Sequence, residues 1–156
     1  MKHLLIFITI TIYSICVFDI QAQNTIPTLI DNTLTLNRGN YTIANNVKIT
    51  ENATLIINPG VTLIFNPGTS IIVEGGLSID GELNDPINII SSDLENEGIG
   101  FEITGISNTE INIKYANISN IVQAFKFTRN WRRNIVSINN SRFENINTGE
   151  AAILIQ

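Results

Sequence analysis

The chain has 156 residues, 44% of them hydrophobic and 15% charged, with a formal net charge of −5 at pH 7. That length suits one domain once any leader is removed, and the acidic balance argues against a dedicated nucleic-acid binder. The single Met, His and Cys stand at Met1, His3 and Cys16, so the rest of the chain offers no His-based triad, no thiol nucleophile and no ordinary zinc site.

Residues 1–22 are predicted to be a cleavable signal peptide. Lys2 and His3 form a charged start, Leu4 to Phe18 is nearly continuous apolar sequence, and Ile20-Gln21-Ala22 ends on a small residue before Gln23. The apolar run is short for a membrane span, and an uncleaved anchor is the alternative. Tyr13-Ser14-Ile15-Cys16 is a poor lipoprotein signal, because a bulky residue precedes the cysteine. Cleavage removes Lys2 and Asp19 together, so the net charge stays at −5. The mature chain is expected to be secreted or held at the cell surface, with no membrane span. Without disulfides, its stability must come from stacked strands.

Residues 23–45 are read as a lead-in and cap. Ile26-Pro27-Thr28-Leu29-Ile30, Leu34-Thr35-Leu36 and Tyr41-Thr42-Ile43 would cover an end that otherwise exposes core and strand edges.

From Asn46 to Asp85 the chain repeats in eights. Thr54-Leu55-Ile56-Ile57-Asn58-Pro59-Gly60-Val61 is followed by Thr62-Leu63-Ile64-Phe65-Asn66-Pro67-Gly68-Thr69, then by Ser70-Ile71-Ile72-Val73-Glu74-Gly75-Gly76-Leu77. The first four residues of each unit read as a strand. Alternation sends the second, fourth and eighth positions to one face and the first and third to the other. Pro59, Gly60, Pro67, Gly68, Gly75 and Gly76 mark structural turns, since proline presets φ and glycine accepts positive φ. These corners lack the two-residue hairpin chemistry, so they bend the chain instead of reversing it. Three bends close a coil of about 24 residues, and such coils must stack on one another. This spacing predicts Leu63 over Ile87, Phe65 over Ile89 and Leu55 over Ile79. Outside, it predicts the pairs Lys48/Ile72, Ile56/Asp80 and Ile64/Asn88, which scatter the outward isoleucines singly. The architecture read from this is an all-β, right-handed parallel β-helix of about five coils over residues 46–156.

Between Asp80 and Gly98 the period breaks, and Asp80, Glu82, Asp85, Asp93, Glu95 and Glu97 accumulate. Carboxylates this dense could bind calcium, or they could be solvated loops; their spacing matches no calcium-loop pattern. From Phe101 the coils resume. Ile113, Ile118, Asn120 and Ile121 recur 25 residues later as Ile138, Phe143, Asn145 and Ile146, which predicts that Asn120 and Asn145 stack at one corner, in left-handed geometry, with their amides bonded. Arg129, Trp131, Arg132 and Arg133, with Lys126, are the candidate binding residues: cations for an acidic polymer and an indole for stacking on a sugar or base. The alternative is a protruding corner whose tryptophan folds back. Ala151-Ala152-Ile153-Leu154-Ile155-Gln156 stops in mid-strand, so further coils or a covering partner are expected beyond it.

Tyr41 to Ser91, in "ATLIINPGVTLIF", "IIVEGGLSIDGE" and "PINIISS", resembles the N-terminal coils of right-handed parallel β-helix proteins of the pectin-lyase-like kind. The resemblance implies the fold and a secreted or cell-surface setting, with catalysis in that superfamily placed on later coils. Phe143-Glu144-Asn145 and Gly149-Glu150-Ala151-Ala152-Ile153 are similar to repeats of polymorphic outer-membrane adhesins, although the spacing differs and the glycine pair is missing.

The enzyme signatures of the superfamily are not visible. A polygalacturonase-like hydrolase needs clustered carboxylates, and its Asn-Thr-Asp, Asp-Asp and His-Gly motifs are missing. A lyase needs a basic proton abstractor beside calcium ligands; Arg132, Arg133 and Arg142 have no visible acidic strand partners. No glycine-rich phosphate loop is present. Asn-x-Ser/Thr sequons stand at Asn40, Asn52, Asn117 and Asn139; they matter only in a host that glycosylates secreted proteins. The expectation is a non-catalytic scaffold or binding module without cofactor or metal, whose partner is a polysaccharide or cell-surface component. The alternatives are the N-terminal part of a polysaccharide lyase or hydrolase, and a repeat adhesin for protein partners.

Overall fold

An eight-residue strand-and-turn unit cannot bury its own apolar side chains, so each needs a counterpart one coil away. The computed structural model describes residues 24–104, 110–128, 135–146 and 152–155. Among them the first coil holds β1 (Asn24–Thr25), β2 (Leu29–Ile30) and β3 (Leu34–Leu36). The second holds β4 (Gly39–Ile43), β5 (Val47–Ile49) and β6 (Thr54–Ile57), and the third β7 (Val61–Phe65), β8 (Ser70–Val73) and β9 (Gly76–Asp80). The fourth holds β10 (Ile87–Ser91), β11 (Gly100–Ile103) and β12 (Glu110–Lys114). The fifth holds β13 (Ala116–Ser119), β14 (Gln123–Phe127) and β15 (Ile135–Asn139), after which β16 (Arg142–Glu144) and β17 (Ile153–Ile155) continue the stack. Every third strand pairs in parallel: β1-β4-β7-β10-β13-β16 form sheet A, β2-β5-β8-β11-β14-β17 sheet B, and β3-β6-β9-β12-β15 sheet C. The described chain is an all-β parallel solenoid.

The inward columns are mainly apolar, with Ser91 as a polar member next to Phe65. Leu55, Ile57, Leu63, Phe65, Ile71 and Val73 are fully buried, as the second and fourth positions of the eight-residue unit require. Aromatic rings run along the axis: Phe65 meets Phe101 edge-on at 5.7 Å, Phe101 stacks on Phe125 at 5.2 Å, and Phe125 meets Phe143 edge-on at 6.3 Å.

The coil length is not constant at 24. In sheet A, Tyr41 stands beside Leu63, Leu63 beside Ile89, Ile89 beside Ile118 and Ile118 beside Phe143, steps of 22, 26, 29 and 25 residues. Leu63 therefore lies over Ile89 instead of Ile87, Phe65 over Ser91, and Leu55 over Leu77 instead of Ile79. The corners set these steps, and each of these shifts is by two residues, which leaves every side chain on its expected face. Outside, Lys48 pairs with Ile72 as expected, but Ile56 faces Ser78 and Ile64 faces Ile90. Ile64 and Ile90 thus form an adjacent apolar pair on sheet A, and the outward isoleucines are not all single. Ser70, expected outside, is 3% exposed, and its amide donates to Asn46 Oδ1 at 2.9 Å.

Two kinds of corner hold the coils together. Gly60 takes φ of 75° after Pro59, as the Asn-Pro-Gly sequence suggested. Gly75 is needed for a different reason: a Cβ there would lie 2.2 Å from the carbonyl oxygens of Thr50 and Ala53, so the demand is for space between coils. Asn120 and Asn145 adopt φ of 55° and 48°, and Asn145 Nδ2 donates to Asn120 Oδ1 at 3.3 Å, the corner ladder expected from their 25-residue spacing. Tyr115 also takes a left-handed φ, 46°, followed at the same corner one coil on by Asn140 at 51°.

Two stability measurements test this account. Phe101→Ala removes the centre of the aromatic file and should cost about 3–5 kcal/mol in chemical denaturation. Tyr115→Asn places a residue suited to left-handed geometry at that corner and should add about 1 kcal/mol, read as a rise in Tm. A lower Tm would mean that the packing of Tyr115 outweighs its backbone strain.

Candidate functional site

Arg129, Trp131, Arg132 and Arg133 lie outside the described residues, as does the predicted leader. Lys126 is described. It points outward from β14, half-buried, in register with Glu102 of β11, and so belongs to the outer face of sheet B.

Among the described residues, the outer face of sheet C carries a shallow concavity. One outward column runs Thr35, Ile56, Ser78, Asn112 and Ser137. The neighbouring column runs Thr54, Gly76, Glu110 and Ile135. Gly76 interrupts that second column, because it has no side chain where its neighbours above and below have one. Thr54 and Glu110 are consequently two strand spacings apart, about 9–10 Å, and the Thr54 side chain leans over Gly76, where a Cβ would lie 2.7 Å from Thr54 Oγ1. The result is a notch of about 220 Å³ lined by Thr54, Gly76, Leu77, Ser78, Glu110 and Asn112. Leu77 is buried beneath it, Glu110 is exposed, and the remaining side chains are half-buried. The notch is smaller than the roughly 300–1,000 Å³ of sites for drug-sized ligands.

Its chemistry is that of hydrogen bonding. Two hydroxyls and a carboxamide each donate and accept, and the carboxylate accepts with two oxygens. Glu110 is the one carboxylate lining it. Asp80, on the same sheet, bonds Lys114 Nζ at 3.1 Å and lies beside Lys114, four residues along the strand from Glu110. That is about 13 Å of strand, beyond the roughly 5–9.5 Å that separates the two carboxyl groups of a glycosidase.

The acidic residues of 80–97 do not gather. Asp80 is on strand β9, Asp85 at the corner between sheets C and A pairs with Arg38, and Asp93 lies at the opposite corner of sheet A. Asp93 Oδ1 accepts from the backbone N–H groups of Glu95 at 2.8 Å and Asn96 at 3.2 Å, and Oδ2 from Asn96 Nδ2 at 3.4 Å. These bonds, that from Glu95 foremost, hold its carboxyl below the usual carboxylate range. Glu97 Oε2 is buried without a hydrogen-bond partner. Among the described residues no group of three or more His, Cys, Asp or Glu is placed to hold a metal ion.

The notch was missed in the sequence because it arises from register. Gly76 reads as a turn residue until β6, β9 and β12 are aligned, and Thr54, Gly76 and Glu110 are separated by 22 and then 34 residues. The usable signal was a glycine at a strand start between two polar column neighbours.

Asp93 has a lowered pKa in the folded protein, so its turn contributes fully above the unfolded carboxylate pKa of about 3.9 and loses that contribution as pH falls through the folded value. Asp93→Ala should strip most of the hydrogen-exchange protection from the Glu95 and Asn96 amides while leaving that of β10 unchanged. Equal protection in the variant would show that the turn stands without the carboxylate. No protein-family model, no curated protein and no solved structure matches this chain.

Proposed function

We propose that this chain is a non-catalytic β-helix module of the pectin-lyase-like kind, secreted or displayed at the cell surface behind residues 1–22, that contacts glycans along the outer face of sheet C. The observation that carries this reading is the notch at Gly76, where Thr54, Ser78, Glu110 and Asn112 converge. Saccharide hydroxyls both donate and accept, as do three of these four side chains, and Glu110 can accept from two neighbouring hydroxyls. The strand pitch repeats such groups along Ser78, Asn112 and Ser137, which suits a polymer better than a single small molecule. The separation of Glu110 from Asp80, and the engagement of Asp80 by Lys114, favour holding a glycan over cleaving one. The pectin-lyase-like assignment rests on the residues of Tyr41 to Ser91 together with the solenoid they build.

The test is sizing chromatography of the purified chain mixed with a panel of neutral and acidic polysaccharides, following polymer length and protein together. Co-elution with polymer of unchanged length is expected for at least one polysaccharide. Asn112→Ala and Glu110→Gln should each weaken that binding about five- to tenfold, the loss of one or two hydrogen bonds. Gly76→Val, whose Cβ would displace the Thr54 side chain lying 2.7 Å away and crowd the notch, should weaken it further. Shortened polymer would overturn this reading in favour of a hydrolase or lyase, and binding indifferent to all three substitutions would move the glycan site off sheet C.

A further inference from the structure

The corners of the solenoid differ in length, and the two longest described ones without strands of their own flank the same strand. Six residues, 81–86, join β9 to β10, where the same corner takes three residues, 58–60, one coil earlier and Tyr115 alone one coil later. Eight residues, 92–99, join β10 to β11, against four, 66–69, and three, 120–122. The interior is filled by core side chains, so the extra residues project outward. Their tips carry two of the three most exposed large apolar residues described, Leu83 at 75% and Leu94 at 68%, the latter level with Ile135 on sheet C. Between them lies the outer face of sheet A, floored by the Ile64–Ile90 pair and by Asn88 and Asn117, whose amides bond each other at 3.2 Å.

Both walls are acidic. Glu82 and Asp85 stand on one, Asp93, Glu95 and Glu97 on the other. Among the described ion pairs, only Arg38–Asp85 reaches either loop. The five residues of β10 set the walls about 16 Å apart, room for one α-helix of about 10–12 Å diameter lying along the solenoid axis. We propose that this trough on sheet A docks a basic amphipathic helix of a partner protein. Its apolar stripe would lie against Ile64, Ile90, Leu83 and Leu94, and its flanking Lys and Arg residues against the exposed carboxylates of Glu82 and Glu95. The exposed leucines favour a polypeptide over a cationic sugar polymer, which would satisfy the carboxylates and leave the leucines in water. This surface is separate from the sheet C notch and does not depend on glycan binding there.

The test is a fluorescence-anisotropy titration of the full chain with a labelled helical Leu/Lys peptide. A scrambled peptide of the same composition, a Leu/Glu peptide and unlabelled chitosan oligomers serve as comparisons. The ordered Leu/Lys peptide should bind at least about tenfold tighter than the scrambled one, and the Leu/Glu peptide should not bind. The double variant Leu83→Ser, Leu94→Ser should lose about tenfold in affinity, whereas Leu29→Ser, an exposed leucine outside the trough, should leave it unchanged. Glu82→Gln with Glu95→Gln should weaken binding and flatten its salt dependence. All of these side chains are exposed, so circular dichroism should show each variant folded. Equal binding of ordered and scrambled peptides would reduce the trough to general charge attraction and overturn the proposal. So would unchanged affinity in the leucine double variant, or displacement of the peptide by chitosan with a preference for the sugar.

Discussion

Everything in this molecule depends on the parallel ladder between a strand and its counterpart one coil later. A strand of two to five residues with its apolar side chains on one face has no local partner, and parallel pairing cannot be closed by a tight turn. The chain must travel around two other sheets before a strand finds its mate. Once the ladder forms, each side chain meets the side chain above and below it in the same column. Columns therefore act as units: Leu63, Ile89 and Ile118 share one, and the rings of Phe65, Phe101, Phe125 and Phe143 pass contact from coil to coil. Stability in such a stack is close to a sum of coil terms and nearest-neighbour terms.

The same constraint separates what could be read in advance from what could not. Alternation is a local property, so the burial of Leu55, Ile57, Leu63, Phe65, Ile71 and Val73 was legible in the eight-residue unit. The corner between Asn120 and Asn145 was legible too, because two copies of one motif carried their own offset. Register across unequal corners was not legible. A uniform step of 24 residues placed Leu63 two residues away from its true neighbour, because the chain between β7 and β10 is longer than that between β4 and β7. Ser70 was misplaced for a related reason: alternation sets it opposite the buried Ile71, but Asn46 one coil earlier lies against it and accepts from its amide, so it is covered. Gly75 was recognised as a corner, yet the reason it must be glycine, the nearby Thr50 and Ala53 carbonyls, lies in another coil.

The three outer faces have different characters. Sheet C offers hydroxyls, amides and one interrupted column. Sheet A is flanked by long acidic corners. Sheet B presents one alternating column, Lys48, Ile72, Glu102 and Lys126, in which Lys48 is held by Glu74 at 2.8 Å. The core columns are the same kind of surface on all three inner faces, so the differences arise entirely from outward positions and corners.

The unequal corners also say something about how such a protein can change. Closing a flexible loop costs conformational entropy that grows only logarithmically with length, roughly 0.6 kcal/mol for each doubling. Going from the four residues of 66–69 to the eight of 92–99 is one doubling. A core column tolerates far less, since one truncated aromatic costs several times as much. Insertions that land at a corner, and return the next strand in phase, are therefore nearly neutral in stability while reshaping the outside. The solenoid separates the part of the chain that must stay fixed from the part that is free to vary, and the variable part lies where a partner would meet it.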